Sequence, residues 1–92
     1  MKKTVESART RSASLEVDLR GQTVDEAIMS LEMYLNNALM MKTNTFTVIH
    51  GKGTGALRAA VQQYLKQSKF VKSYRLGLYG EGENGVTIVE LK

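Results

Sequence analysis

The sequence predicts an α+β two-layer sandwich with the element order βαβαββ. Two long segments repeat apolar residues at helical spacing, and four short segments around them alternate or are β-branched. The first short segment places Glu16, Asp18 and Arg20 on one face. A strand buried on both faces would be continuously apolar. Both helices are therefore expected on one side of a four-stranded mixed sheet, with the other side open to solvent or ligand.

Strand one rests on Leu15, Val17 and Leu19, which alternate with those charged residues until Gly21 stops the pattern. Thr23 then stands three residues before Glu26, the spacing of a capping box. Val24, Ala27, Ile28, Leu31, Leu35 and Ala38 form one buried stripe, so helix one runs to about Met41. Lys42-Thr43-Asn44-Thr45 is its exit. Phe46-Thr47-Val48-Ile49 is a β-branched second strand. Leu57, Ala60, Val61, Tyr64 and Leu65 return at helical spacing, giving a second helix that ends near Lys69. Tyr74, Leu76 and Leu78 alternate with Ser73, Arg75 and Gly77 and suggest strand three. Gly80 to Gly85 is a turn-rich loop, and Val86 to Leu91 is the last strand. Strand–helix–strand connections give parallel neighbours. The short glycine loop makes the last two strands antiparallel.

The chain has 92 residues, room for a single small domain, with 42% apolar and 24% charged residues. No apolar run reaches the roughly 20 residues of a membrane span, so no membrane partner is expected. The start, MKKTVESARTRSAS, lacks the apolar core of a secretory signal. With no cysteine, disulfide scaffolds, zinc ribbons and thiol nucleophiles are excluded, and a cytoplasmic location fits. The single histidine, His50, excludes a metal site built on several imidazoles. The net charge of +4 sits mostly on residues 1–14, which carry Lys2, Lys3, Arg9 and Arg11 against Glu6. That segment reads as a flexible basic arm or linker, and residues 15–92 as the domain.

The chemistry concentrates in His50-Gly51-Lys52-Gly53-Thr54-Gly55, between strand two and helix two. Alternate glycines let the backbone turn sharply and let a ligand approach. The free amides and dipole of the following helix favour an anion there. Gly51-x-Gly53-x-x-Ala56 formally matches a dinucleotide fingerprint, but Val71 and Lys72 stand where its acid, about twenty residues on, belongs. The spacing also fails for a P-loop. If strands one and two are parallel, Asp18, Arg20, His50 and Lys52 converge at one sheet edge. That set suits phosphodiester binding and cleavage. Alternatively, Asp18 and Arg20 are only a surface pair.

The segments Val17-Asp18-Leu19-Arg20-Gly21, His50-Gly51-Lys52-Gly53-Thr54-Gly55-Ala56-Leu57 and Gly85-Val86-Thr87-Ile88-Val89 together resemble an Smr (small MutS-related) domain over residues 15–92. Arg20 replaces the histidine usual at the first motif. That form is similar to the C-terminal domain of the second, non-mismatch-repair branch of bacterial MutS proteins. The resemblance implies a fold like the C-terminal domain of translation initiation factor three. It implies binding of DNA, branched or double-stranded, or of RNA, and nicking without sequence preference. It further implies action on recombination intermediates, as a monomeric domain within a dimeric parent protein. An arginine cannot titrate in place of the histidine, but it can clamp phosphate.

The roles expected are His50 as general acid or base and Asp18 as the group that orients it or binds a metal. Arg20, Gly51, Lys52, Gly53, Thr54, Gly55 and Arg58 form the nucleic-acid-binding set. No tightly bound cofactor is expected; magnesium is the candidate ion. Met29, Met33 and Met40 read as core filler, Tyr79 as the best base-stacking candidate, and Glu81 and Glu83 as a solvated loop. The competing function is a non-catalytic nucleic-acid or ribosome-binding module of a larger ATPase.

Overall fold

Period-two alternation does to strand one what it must: Leu19 is fully buried while Glu16, Asp18 and Arg20 are exposed. The structure, a computed structural model, describes residues 15–92. The basic arm over residues 1–14 lies outside the described residues. Strand β1 spans Glu16–Asp18, helix α1 Val24–Met40, β2 Thr45–Ile49, α2 Ala56–Gln67, β3 Val71–Leu76 and β4 Val86–Leu91, with a 3₁₀ turn over Glu83–Gly85 before β4.

Helix α1 starts on the capping box that the sequence spells. The Glu26 amide donates to Thr23 Oγ1 at 3.2 Å, and the Thr23 amide donates to Glu26 Oε1 at 2.9 Å. Asp25 and Glu26 complement the helix dipole. The helix closes with Lys42 at φ 58°. The amides of Lys42 and Thr43 donate to Leu39 and Ala38 carbonyls, the pattern of a left-handed cap normally given to glycine. Ala27, Leu31, Leu35 and Ala38 are buried. Met29, Met33 and Met40 are not core filler: they are 65%, 68% and 81% exposed. At 3.6 residues per turn they lie across the helix from the buried stripe.

The sheet order is β1-β2-β4-β3, with β1 and β2 parallel and β4 antiparallel to both its neighbours. Their helical crossover suggested that β2 and β3 are parallel neighbours, but they are not adjacent; β4 inserts between them. Its sequence explains the central place: Val86, Thr87, Val89 and Leu91 are all buried. Strand β3 stops at Leu76 because the Gly77 amide turns to the Glu83 and Val86 carbonyls. Both helices press Leu31, Leu35, Val61 and Leu65 onto Phe46, Val48 and Val89 in one core cluster. Tyr34 meets Phe46 with ring centroids 5.1 Å apart and planes tilted by 56°. Among the described residues no helix is long and apolar enough to cross a membrane.

Candidate nucleic-acid interface

The Leu19 amide donates to the Ile49 carbonyl at 2.8 Å, so the end of β1 lies beside the turn that leaves β2. The turn itself is pinned from below. The Gly85 carbonyl accepts from the amides of both His50 and Gly51, at 3.1 and 2.8 Å. Gly51 and Gly55 take left-handed φ values of 87° and 90°, which glycine adopts without strain.

Helix α2 begins in a way that α1 does not. Its N-cap is Gly55, which brings no side chain; the Thr54 hydroxyl accepts only from the Ala56 amide, at 3.3 Å, and the first turn holds no acid. Arg58 occupies that first turn instead, where the dipole disfavours a cation. The sequence leaves amides unsatisfied and adds a positive charge to them. An anion resolves both defects. A cleft of about 490 Å³ opens there, with Arg20, Thr23, His50, Gly53, Thr54 and Arg58 among its walls.

Arg20 lays its aliphatic stem over Gly51, where a Cβ would stand 3.4 Å from Arg20 Cγ. Its guanidinium grips Asp18 through Nε at 3.0 Å and Nη2 at 2.7 Å, and its amide donates to the same carboxylate at 3.0 Å. The guanidinium and amide hold the Asp18 carboxyl down at about 2, so it stays ionised. Nη1 of Arg20 has no partner among the described residues. The carboxylate thus fixes the fork and leaves donor capacity for another anion.

His50 is only 4% exposed. Its Nδ1 lies 3.0 Å from the Gly51 carbonyl, to which it must donate, and its Nε2 lies 2.8 Å from Thr87 Oγ1. Burial pushes its pKa down; the bond to Gly51 opposes this, and the charge of Arg58 adds to it. In the neutral ring Nε2 accepts from the Thr87 hydroxyl.

Convergence at the edge is thus partial. Arg20, His50 and the glycine turn share the cleft. Asp18 does not orient His50: it pairs in register with Ile49, on the open face, while His50, next in the chain, faces the helices. Lys52 turns toward the second glycine loop, with Nζ 3.5 Å from Glu83. Glu81 and Glu83 are paired rather than simply solvated, because Arg75 Nη1 also reaches Glu81 at 2.8 Å. The residues present do not fit a magnesium site. Asp18 is taken by Arg20, and no three His, Asp or Glu side chains gather for a metal among the described residues.

Thr87 is the site residue whose role sequence reasoning missed. Its signal was a lone hydroxyl on the inward face of β4, beside Val89 and Leu91. Gly53 also differs from expectation, having neither a left-handed φ nor any atom within 4 Å of a would-be Cβ. Gly53→Val should therefore leave the melting temperature nearly unchanged. It should weaken binding if a ligand approaches the turn, as a filter-binding titration beside a melting curve would show.

The Smr domain family model matches residues 17–92. An endonuclease MutS2 of Acetivibrio thermocellus is 51% identical over 85 residues, covering 92% of this chain and 11% of that protein. An endonuclease MutS2 of Bacillus mycoides is 52% identical over 93 residues, covering 99% and 12%. The chain thus spans about a tenth of these relatives. The crystal structure of the Smr domain of Thermus thermophilus MutS2 superposes with a TM-score of 0.83 at 45% identity, covering 85% of this chain and 98% of that one. The stand-alone small MutS-related protein YdaL of Escherichia coli gives 0.80 at 25% identity, covering 84% and 63%.

Proposed function

This chain belongs to the Smr domain family, and on that premise we propose that it binds the phosphate backbone of nucleic acid and nicks it without sequence preference. The observation that carries the reading is the start of α2, where Thr54 satisfies one amide only, acid is absent and Arg58 is present. Phosphate oxygens accept from the free amides of Leu57 and Arg58. Arg58 and Arg20 supply the charge, and Lys52 engages a neighbouring phosphate by leaving Glu83. Branched or double-stranded DNA is the substrate class, within a longer MutS-like protein. Structured RNA would meet the same donors.

In nicking, water adds to phosphorus, the bond to the leaving oxygen breaks, and that oxygen takes up a proton. The negative charge that builds on the phosphoryl oxygens falls against Arg20, Arg58 and the helix amides. His50 holds the Gly51 peptide in place. It can exchange a proton with substrate only when Nε2 parts from Thr87. That engagement favours a second reading, a binding module without chemistry.

The test is a supercoiled-plasmid nicking assay, with magnesium and with chelator, beside binding titrations over a salt series. Arg58→Ala should weaken binding and lower the salt slope by about one phosphate contact. Arg20→Ala should lose nicking. Wild-type affinity and slope in both variants would remove the phosphate reading. A parent that never nicks leaves the binding module.

A further inference from the structure

A second groove adjoins the phosphate cleft on the open side of the sheet, and Arg20 and Gly51 line both. It measures about 340 Å³, within the range of small-ligand clefts, about 300–1,000 Å³. Its floor is Ile49 and Val86, which pair directly across β2 and β4. Gly82 and Gly85 form its far wall, and Lys52 borders it. The floor is apolar, the wall is bare backbone, and Arg20 stands at the edge shared with the cleft.

The same loop carries Tyr79, which stands outside the groove's walls, three residues before Gly82, and is 94% exposed. A tyrosine ring is usually at least partly buried, and here the turn holds it out. The Glu81 amide donates to the Leu78 carbonyl at 2.8 Å, closing a tight turn with Tyr79 and Gly80 at its centre. Gly80 has φ 89°, as the third position of a type II turn requires. Glu81 is locked to Arg75 by two hydrogen bonds and accepts from the Leu78 amide at 2.7 Å. Gly82, at φ 109°, packs so closely on Val86 that a Cβ there would lie 2.6 Å from Val86 Cγ1. An exposed ring on a fixed turn loses little freedom on binding.

We propose that this groove and Tyr79 form a base subsite that receives an unstacked nucleobase from the strand whose phosphate lies in the neighbouring cleft. The inference rests on the phosphate reading above. It selects its substrate class: nucleic acid with unpaired bases over fully paired duplex. A planar ring suits the apolar floor and the tyrosine face, and stacking on an aromatic side chain is indifferent to base identity. Continuity through Arg20 and Gly51 distinguishes the groove from an isolated surface patch.

The experiment compares affinities for a fully paired duplex and for the same duplex with a short unpaired bulge, using the 92-residue chain. A 2-aminopurine in the bulge reports stacking by its quenching. The parent should prefer the bulged oligonucleotide and quench the probe. Tyr79→Ala should lose about ten-fold or more of affinity for the bulge, lose the quenching and keep its duplex affinity. Tyr79→Phe should behave as the parent. Melting curves should coincide, since the ring touches so little. Arg58→Ala serves as the separate check, expected to weaken both oligonucleotides alike. If it weakens both while Tyr79→Ala changes neither affinity nor quenching, the base subsite is wrong and the phosphate site stands. If Arg58→Ala changes nothing, the phosphate reading itself has failed. Equal loss on both oligonucleotides for Tyr79→Ala would also overturn the subsite.

Discussion

Arg58→Glu should abolish nucleic-acid binding at moderate salt while raising the stability of the domain. The two signs are opposed because the first turn of α2 is tuned for a ligand. It has a glycine N-cap, a single Thr54 hydroxyl bond to the Ala56 amide and no acid. A glutamate there would complement the dipole by about 0.3–1 kcal/mol. The same glutamate would face the phosphate that Arg58 is proposed to hold. Like charges brought together across an interface cost several kcal/mol, which is two or more decades of affinity. Chemical denaturation and a binding titration on one preparation would check both signs. A variant less stable than the parent would show that Arg58 serves the fold, which would undercut the anion site.

His50→Ala should be the most destabilising change at the site, at about 2–4 kcal/mol. It removes a ring that is only 4% exposed and orphans the fully buried Thr87 hydroxyl. Against a total of about 5–15 kcal/mol, such a loss should show as a large drop in denaturation midpoint. Thr87→Val should cost about 1–3 kcal/mol by the same logic. The double variant should cost less than the sum, because the two share one bond. Burial holds the imidazole pKa below 6.5, so the unfolded chain binds the proton more readily. This stabilisation is complete above pH 6.5 and is lost as the pH falls below it toward the folded value. A midpoint-against-pH curve should show that decline in the parent and lose it in His50→Gln. Nicking divides the roles further. If the ring exchanges protons with substrate, Thr87→Val frees Nε2 and keeps the activity that His50→Ala destroys. If the ring only holds the turn, both variants lose activity together with affinity.

Local signals were legible where one segment decides its own structure. Thr23 and Glu26 announced the start of α1, and the β-branched run from Val86 to Leu91 matched β4. Arg20 and the glycine turn met at one edge because parallel pairing of β1 and β2 follows from their helical connection. What escaped depends on distant partners. Thr87 lies 37 residues from His50, and nothing near either one predicts their bond. Glu83 looked solvated because Lys52 is far away in sequence. Met29, Met33 and Met40 recur at helical spacing beside the core stripe, and periodicity alone does not say that this second stripe meets solvent. The place of β4 between β2 and β3 was hidden for the same reason.

That central place governs how the domain can be made. Strand β4 is the last of the described elements in chain order, yet both antiparallel ladders run through it. As the nascent chain leaves the exit tunnel, β1, α1 and β2 emerge with one side of β2 unpaired. Strand β3 has no neighbour at all until Val86 to Leu91 arrive. Helix-first, vectorial completion is closed to this topology, so the sheet must close in a late, concerted step. A product that terminates early, short of those six residues, should be unfolded throughout and open to proteases. The glycine turn depends on this late step, since Gly85 and Thr87 hold it from beneath.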